Sequence, residues 1–168
     1  MSKAIQKPNN KSGLGWPPLL AIDIGQQMGY AVRTQNGEIK SGSRPLKHRN
    51  IGARTLKMRQ FLYEIYNESP TLETIYYEDV QFQRSRKVNP AYSYAGFMGE
   101  IQAFCVLKKL RCVPVQIKSI KKHATGNANA GKPAVIAAVE SWGHSPYDDN
   151  EADAIAMLDL MITKRGDK

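Results

Sequence analysis

The stretch LLAIDIGQQMGYAVRTQNGEIKSGS, residues 19–43, decides how the chain begins to fold. LLAIDIG (19–25) is a short apolar run ending in glycine, and its length and flanks mark a buried strand. GYAVRT (29–34) follows after the brief QQM connection and reads as a second strand. Asn36-Gly37 is the strongest hairpin-turn dipeptide in the chain, so EIKSGS (38–43) becomes the third. Three antiparallel strands therefore open the domain. Inside the first of them sits Asp23, where a hydrophobic residue would be cheaper to bury.

Downstream, residues 51–68 carry a helical stripe of Ile51, Leu56, Phe61, Leu62, Ile65 and Tyr66, which Ser69-Pro70 ends. TIYYEDVQF (74–82) is rich in β-formers and predicts a fourth strand, followed by a basic loop, QRSRKVNP (83–90). Residues 91–110 are helical in pattern, with small residues at Ala91, Ala95, Gly96, Gly99 and Ala103 that allow another helix or subunit to approach. CVPVQI (112–117) predicts the fifth strand, and 120–132 reads as a basic, Gly/Asn-rich connection. A helix over 133–143, opened by Pro133 and closed by Gly143, and a last helix from about Asp149 to Lys164 complete the chain. The order βββαβαβα, with a helix pair at the end, predicts an α/β fold: a five-stranded mixed sheet flanked by helices. Residues 18–168 form the expected domain, and 1–17, rich in Lys, Asn, Gly and Pro, a flexible basic arm.

Composition narrows the function classes. With 42% hydrophobic residues the chain can build a core. It contains no apolar run of membrane-spanning length, and its first residues lack the apolar segment of a secretory signal, so a cytoplasmic location is expected. Cys105 and Cys112 form neither a disulfide framework nor a zinc pattern and read as buried thiols. The formal net charge is +9, unevenly spread: residues 140–168 hold seven acids and three bases, a net −4, which leaves +13 for the rest. A basic body with a local acidic patch fits a polyanion-binding protein whose acids do a separate job.

Those acids crowd into DDNEADAIAM (148–157), where Asp148, Asp149, Glu151 and Asp153 open an apolar helix. Like charges this close repel. Either they are a solvated start that suits the helix dipole, with Asp149 as a candidate N-cap, or they await a metal ion. At about 100° per residue, Asp149 lies some 40° and Asn150 some 60° from Asp153, whereas Glu151 lies about 160° away. Asp23 and Glu78 interrupt apolar strands in the same way as Asp153 interrupts its helix. Hard oxygen ligands drawn from several elements suit Mg²⁺ or Mn²⁺. Two such ions about 3.5–4 Å apart can activate water and stabilise the leaving oxygen of a phosphodiester.

Four segments in order, AIDIG-xxx-GYAV (21–32), IYYEDVQF (75–82), PVQIKSIKKHATGNANAGK (114–132) and NEADAIAM (150–157), resemble the RuvC family of Holliday-junction resolvases, within the RNase H-like nucleases. The resemblance spans roughly residues 18–163, and DDNEADAIA is most similar to small phage and prophage members. It implies a metal-dependent, structure-selective endodeoxyribonuclease that cuts four-way junctions in pairs and leaves 5′-phosphates. Two Mg²⁺ ions per site would be held by Asp23, Glu78 and Asp153. For the fourth ligand, strict register points to Asn150, whereas carboxylate chemistry favours Asp149. Lys118 and Lys132 match positions near the scissile phosphate, where a lysine can neutralise developing charge.

For nucleic-acid contact, Arg84, Arg86 and Lys87 can hold phosphates and Phe82 can stack on or wedge into an opened base step. Lys121 and Lys122 join them, with a solvated helix face as the alternative. Tyr92 and Tyr94 are expected to pack. Branched DNA is the implied partner, with no membrane, and the 91–110 helix is the implied surface of a two-fold homodimer. Two other readings stay open: a relaxed flap, fork or RNA–DNA hybrid nuclease of the same fold, and a non-catalytic nucleic-acid-binding protein.

Overall fold

A computed structural model describes residues 15–79 and 88–166, with the backbone alone for 88–91. The element order is β1 (Leu19–Asp23), β2 (Gln27–Arg33), β3 (Ile39–Pro45), α1 (Ile51–Glu68), β4 (Thr74–Glu78), α2 (Val88–Lys108), β5 (Arg111–Val115), α3 (Ile117–Thr125), α4 (Lys132–Ser141) and α5 (Asp149–Arg165). The five strands form one mixed sheet in the order β3-β2-β1-β4-β5. β1 pairs antiparallel with β2 and parallel with β4, β2 pairs antiparallel with β3, and β4 pairs parallel with β5. The opening hairpin forms as the Asn36-Gly37 pattern predicts. Gly37 takes φ +85°, and the Thr34 N–H donates to the Glu38 carbonyl across the turn.

Strand alternation sorts the core into two layers. Leu20, Ile22, Met28, Ile75 and Tyr77 face α1 and α2, where Met58, Phe61, Phe97 and Ile101 close over them. Leu19, Ala21, Ala31 and Tyr76 face the other way, toward Ile120, Val135, Ile155 and Met157 of α3, α4 and α5. Burying side chains such as Leu19, Ile22 and Phe61 completely stabilises the fold by about 1.5–3 kcal/mol each. The same alternation turns Asp23 and Glu78, two positions beyond Ala21 and Tyr76, toward the α5 layer.

Three expectations need correction. The segment from Ile117 to Thr125 is a helix, α3, so that three helices follow β5. Its many lysines disguised a stripe of Ile117, Ile120 and Ala124, of which Ile120 is fully buried. The fourth strand stops at Glu78, and the Asp79 N–H still donates to the Val115 carbonyl. Tyr92, expected to pack, is 62% exposed. Tyr94 does pack, and its hydroxyl donates to the Glu78 carbonyl at 2.6 Å, tying α2 to the end of β4. Most of the proposed arm lies outside the described residues. Among the described residues, no helix is long and apolar enough to cross a membrane.

Candidate active site

Parallel pairing sets the location. β1, β4 and β5 end on the same edge of the sheet, and open α/β sheets bind ligands outside such carboxyl ends. Asp23 is the last residue of β1 and Glu78 the last of β4. α5 begins at the same edge and packs across β1, β2 and β3 on one side and against α3 and α4 on the other.

The first turn of α5 divides its acids into two pairs. Asp148, not Asp149, is the N-cap: its Oδ1 accepts the Glu151 N–H at 2.9 Å. Ser43 Oγ donates to the same carboxylate, and Gln27 Nε2 donates to Oδ2 at 3.4 Å. Burial works against this charge, but the bonds from Ser43, the Glu151 backbone, Asn150 and Gln27 hold Asp148 below the usual carboxylate range. Glu151 is buried. It accepts Ser41 Oγ at 2.6 Å and the Tyr147 N–H at 2.8 Å. Asp148 and Glu151 are therefore structural, a variation on the capping box that pins α5 to β3. The D-x-x-E spacing at 148–151 carried that signal. Ser41 and Ser43, two apart on β3, share the face that receives it.

With capping assigned to Asp148, Asp149 is released for the cluster. Its charge acts on both Asp23 and Asp153. The Asn150 backbone carbonyl lies against Gly29. Gly29 is the residue paired with Asp23 across β1 and β2. A Cβ there would stand 1.9 Å from the Asn150 oxygen, so only glycine lets the start of α5 descend to the sheet.

Asp23, Glu78, Asp149 and Asp153 thus converge. Asp23 is pushed up to about 9, first by burial, then by a hydrogen bond shared with Glu78 and by the charges of Glu78, Asp153 and Asp149. Asp153 is raised to about 6 by burial, Glu78 and Asp149, against the opposing pull of Lys121 and Lys132. Neighbouring carboxylates hold protons this tightly when too few cations balance them.

Among the described residues, two cations act on the cluster. Lys132, at the start of α4, forms an ion pair with Asp149, which raises the ammonium pKa. Lys121 on α3 acts on Asp153. Lys118 lies exposed on the first turn of α3, as does Lys122 on the last. Lys121 sits about 40° around the helix from the inward Ile117, whereas Lys118 sits about 100° away. That helical offset was the signal for Lys121. Phe82, Arg84, Arg86 and Lys87 lie outside the described residues.

Four carboxylates from three elements form a hard-oxygen set that suits a divalent cation, and excess negative charge is what such an ion would relieve. Among the described residues, no group of three His, Cys, Asp or Glu stands in ready metal-holding geometry. Glu78 raises Asp23, and Asp149 is paired with Lys132. A separate groove of about 470 Å³, lined by Tyr30, Thr34, Lys40, Arg44 and Glu64, lies apart from the cluster.

No family model and no curated protein matches the chain at the level of sequence. Solved structures do. RuvC from Thermus thermophilus is 18% identical over 89% of this chain and 96% of its own, with a TM-score of 0.62. T. thermophilus RuvC in complex with Holliday junction substrate matches over 90% and 95% of the two chains at 18% identity, with a TM-score of 0.70. The yeast mitochondrial Holliday junction resolvase Ydc2 is 10% identical over 88% and 78% of the chains, with a TM-score of 0.61. The chain is an α/β protein with the RNase H-like fold. Within that class, its fold is the one seen in RuvC.

Proposed function

We propose that this protein is a divalent-metal-dependent endonuclease that resolves four-way DNA junctions as a two-fold dimer. The supporting observation is the convergence of Asp23, Glu78, Asp149 and Asp153 at one sheet edge, where folding alone would favour apolar or solvated residues. These four would hold two Mg²⁺ or Mn²⁺ ions, with Asp149 as the fourth ligand because its carboxylate charge acts on both Asp23 and Asp153. When bound, the ions supply activation of water and stabilisation of the leaving oxygen at the phosphodiester. The chain's own residues do the rest. Burial of Asp23 keeps bulk water from screening the cluster. Lys121 and Lys132 set positive charge beside the acids, where non-bridging phosphate oxygens would rest. Lys118 and Lys122 are exposed on α3 and would contact the DNA backbone.

Selectivity for the four-way junction rests on fold likeness to RuvC, which has been seen with a Holliday junction substrate. The dimer would form through α2, which leaves Val106 and Leu107 exposed and has open space over Gly99. A two-fold dimer places two sites on a nearly two-fold substrate, so that both cuts are equivalent. Phe82, Arg84, Arg86 and Lys87 are proposed to meet the opened strand. The test is a cleavage panel of four-way junction, fork, flap, duplex and RNA–DNA hybrid, with Mg²⁺ or with EDTA. Paired symmetric nicks with 5′-phosphates, confined to the four-way junction and abolished by EDTA, are expected. Equal cutting of forks, flaps or hybrids would replace the junction assignment by a relaxed nuclease, and binding without cutting in Mg²⁺ or Mn²⁺ would overturn catalysis.

A further inference from the structure

Between Glu38 and Glu64 the chain holds no acid at all, while Lys40, Arg44, Lys47, Arg49, Arg54, Lys57 and Arg59 carry seven positive charges. Arg44 is neutralised by Glu64 and Arg59 by Glu100. Lys47 and Arg49 are exposed and meet no acid among the described residues. β3 runs parallel to β1, since both are antiparallel to β2, so the β3–α1 connection leaves from the same sheet edge as Asp23 and Glu78. It lies two strands from β1, roughly 10 Å to the side, which is about three nucleotides along one DNA strand.

The connection is also braced. Leu46 is fully buried, and its N–H donates to the Gln26 carbonyl at 2.7 Å. The Asn50 N–H donates to His48 Nδ1 at 3.0 Å, and the Asn50 side chain caps α1 by accepting the Ala53 N–H. Arg54 Nε donates to the His48 carbonyl at 2.5 Å and Lys57 Nζ to the Lys47 carbonyl at 3.1 Å. Arg54 also reaches Ser93 of α2. Two cations thus hold the backbone in place while Lys47 and Arg49 point their charge outward from it.

We propose that this braced connection, through Lys47 and Arg49, is a second phosphate-binding surface that holds a duplex arm of the nucleic acid beside the acid cluster. The inference rests on the endonuclease reading for its partner. A membrane surface fits less well: a membrane-lying helix presents its apolar stripe, and that of α1 (Met58, Phe61, Leu62, Ile65) is buried against the sheet. The lysines of α3 and α4 flank the acids from the β5 side and this connection from the β3 side, so that DNA would be gripped on both sides of the cut.

The test compares the full chain with Lys47→Ala/Arg49→Ala and with Lys164→Ala, an exposed lysine at the far end of α5. Each would be titrated with four-way junction and duplex DNA across a KCl series. Loss of two phosphate contacts should weaken junction binding about tenfold or more and lower the slope of log K against log salt by roughly 1.8, with Lys164→Ala unchanged. Thermal melting of the double variant should match wild type, since both side chains are exposed. A double variant with the wild-type affinity and slope would overturn the inference and leave the nuclease reading intact. Wild-type protein that binds neither DNA at any salt would overturn both. Vesicles of phosphatidylserine captured through Lys47 and Arg49, with DNA binding unaffected, would assign the surface to a membrane and overturn it equally.

Discussion

α5 and α3 deliver charge to the same place by opposite means. α5 is buried nearly throughout: Ala152, Ala154, Ile155, Ala156, Met157 and Leu158 leave almost no surface. Its acids are fixed by the cap at Asp148, the anchor at Glu151 and the close approach over Gly29. α3 is amphipathic and lies on the surface, held by Ile120 beneath and by His123, whose Nε2 meets Asp159 Oδ2 of α5 at 2.7 Å. Its lysines keep their freedom at one end. The difference teaches which charges can be made expensive. A carboxylate forced into burial stores repulsion that a cation can relieve, whereas a lysine at the rim keeps its solvation and can follow a moving phosphate.

The largest effect should come from the buried side of that comparison. Asp23→Asn is expected to lose cleavage by more than about 100-fold while keeping its fold and its junction binding; wild-type turnover in that variant would remove Asp23 from the chemistry. Next is Gly29→Ala, whose methyl must displace the start of α5. A shift near 1 Å costs on the order of 100-fold in rate, and overpacking costs about 1–3 kcal/mol in denaturant unfolding. An unchanged Mg²⁺-induced melting shift together with wild-type cleavage would show that α5 needs no such approach.

The rim should respond less. Lys121→Ala is expected to slow cleavage at saturating DNA by roughly tenfold or more, and Lys118→Ala to act chiefly on binding. If Lys118→Ala instead gives the larger loss of turnover, the helical offset assigns the wrong lysine. Smallest of all, His123→Ala should cost about 1 kcal/mol of stability with little effect on catalysis, since it positions α3 through Asp159, outside the four clustered carboxylates.

Acidity gives a further handle. Asp23 is raised to about 9 in the fold from the ordinary value of 3.8. The folded state therefore binds the extra proton, and stability without metal should be greatest below pH 4 for this group and fall as pH rises toward 9. Other acids titrate in the same span, so the diagnostic quantity is the difference between wild type and Asp23→Asn, which should shrink that fall. Mg²⁺ should stabilise wild type increasingly across the same interval, because ion and proton compete for the cluster. Melting curves from pH 5 to 9 with EDTA and with Mg²⁺ would check both, and parallel curves for the two proteins would contradict the burial of Asp23.

How far the site could be read in advance varies residue by residue. Asp23, Glu78 and Asp153 were legible because each breaks an apolar run of known periodicity, and the period itself says which face it breaks. The opening hairpin was legible because Asn36-Gly37 is local chemistry. α3 was not, since three apolar positions among lysines weigh little against a Gly/Asn-rich neighbourhood until the burial of Ile120 is seen.

Asp149 shows the boundary most clearly. From spacing alone, it could cap the helix, serve the cluster, or yield to Asn150. By itself, the sequence determined a mixed α/β sheet, a basic body and three misplaced acids, because hydrophobic period, turn chemistry and charge are properties of short stretches. Only the tertiary structure decided that Asp148 caps, that Gly29 admits the helix and that the charges of Lys121 and Lys132 act on Asp153. The first two outcomes involve Ser43, Gln27 and Gly29, which lie more than a hundred residues from the start of α5 along the chain, and distance in space is what a local pattern does not contain.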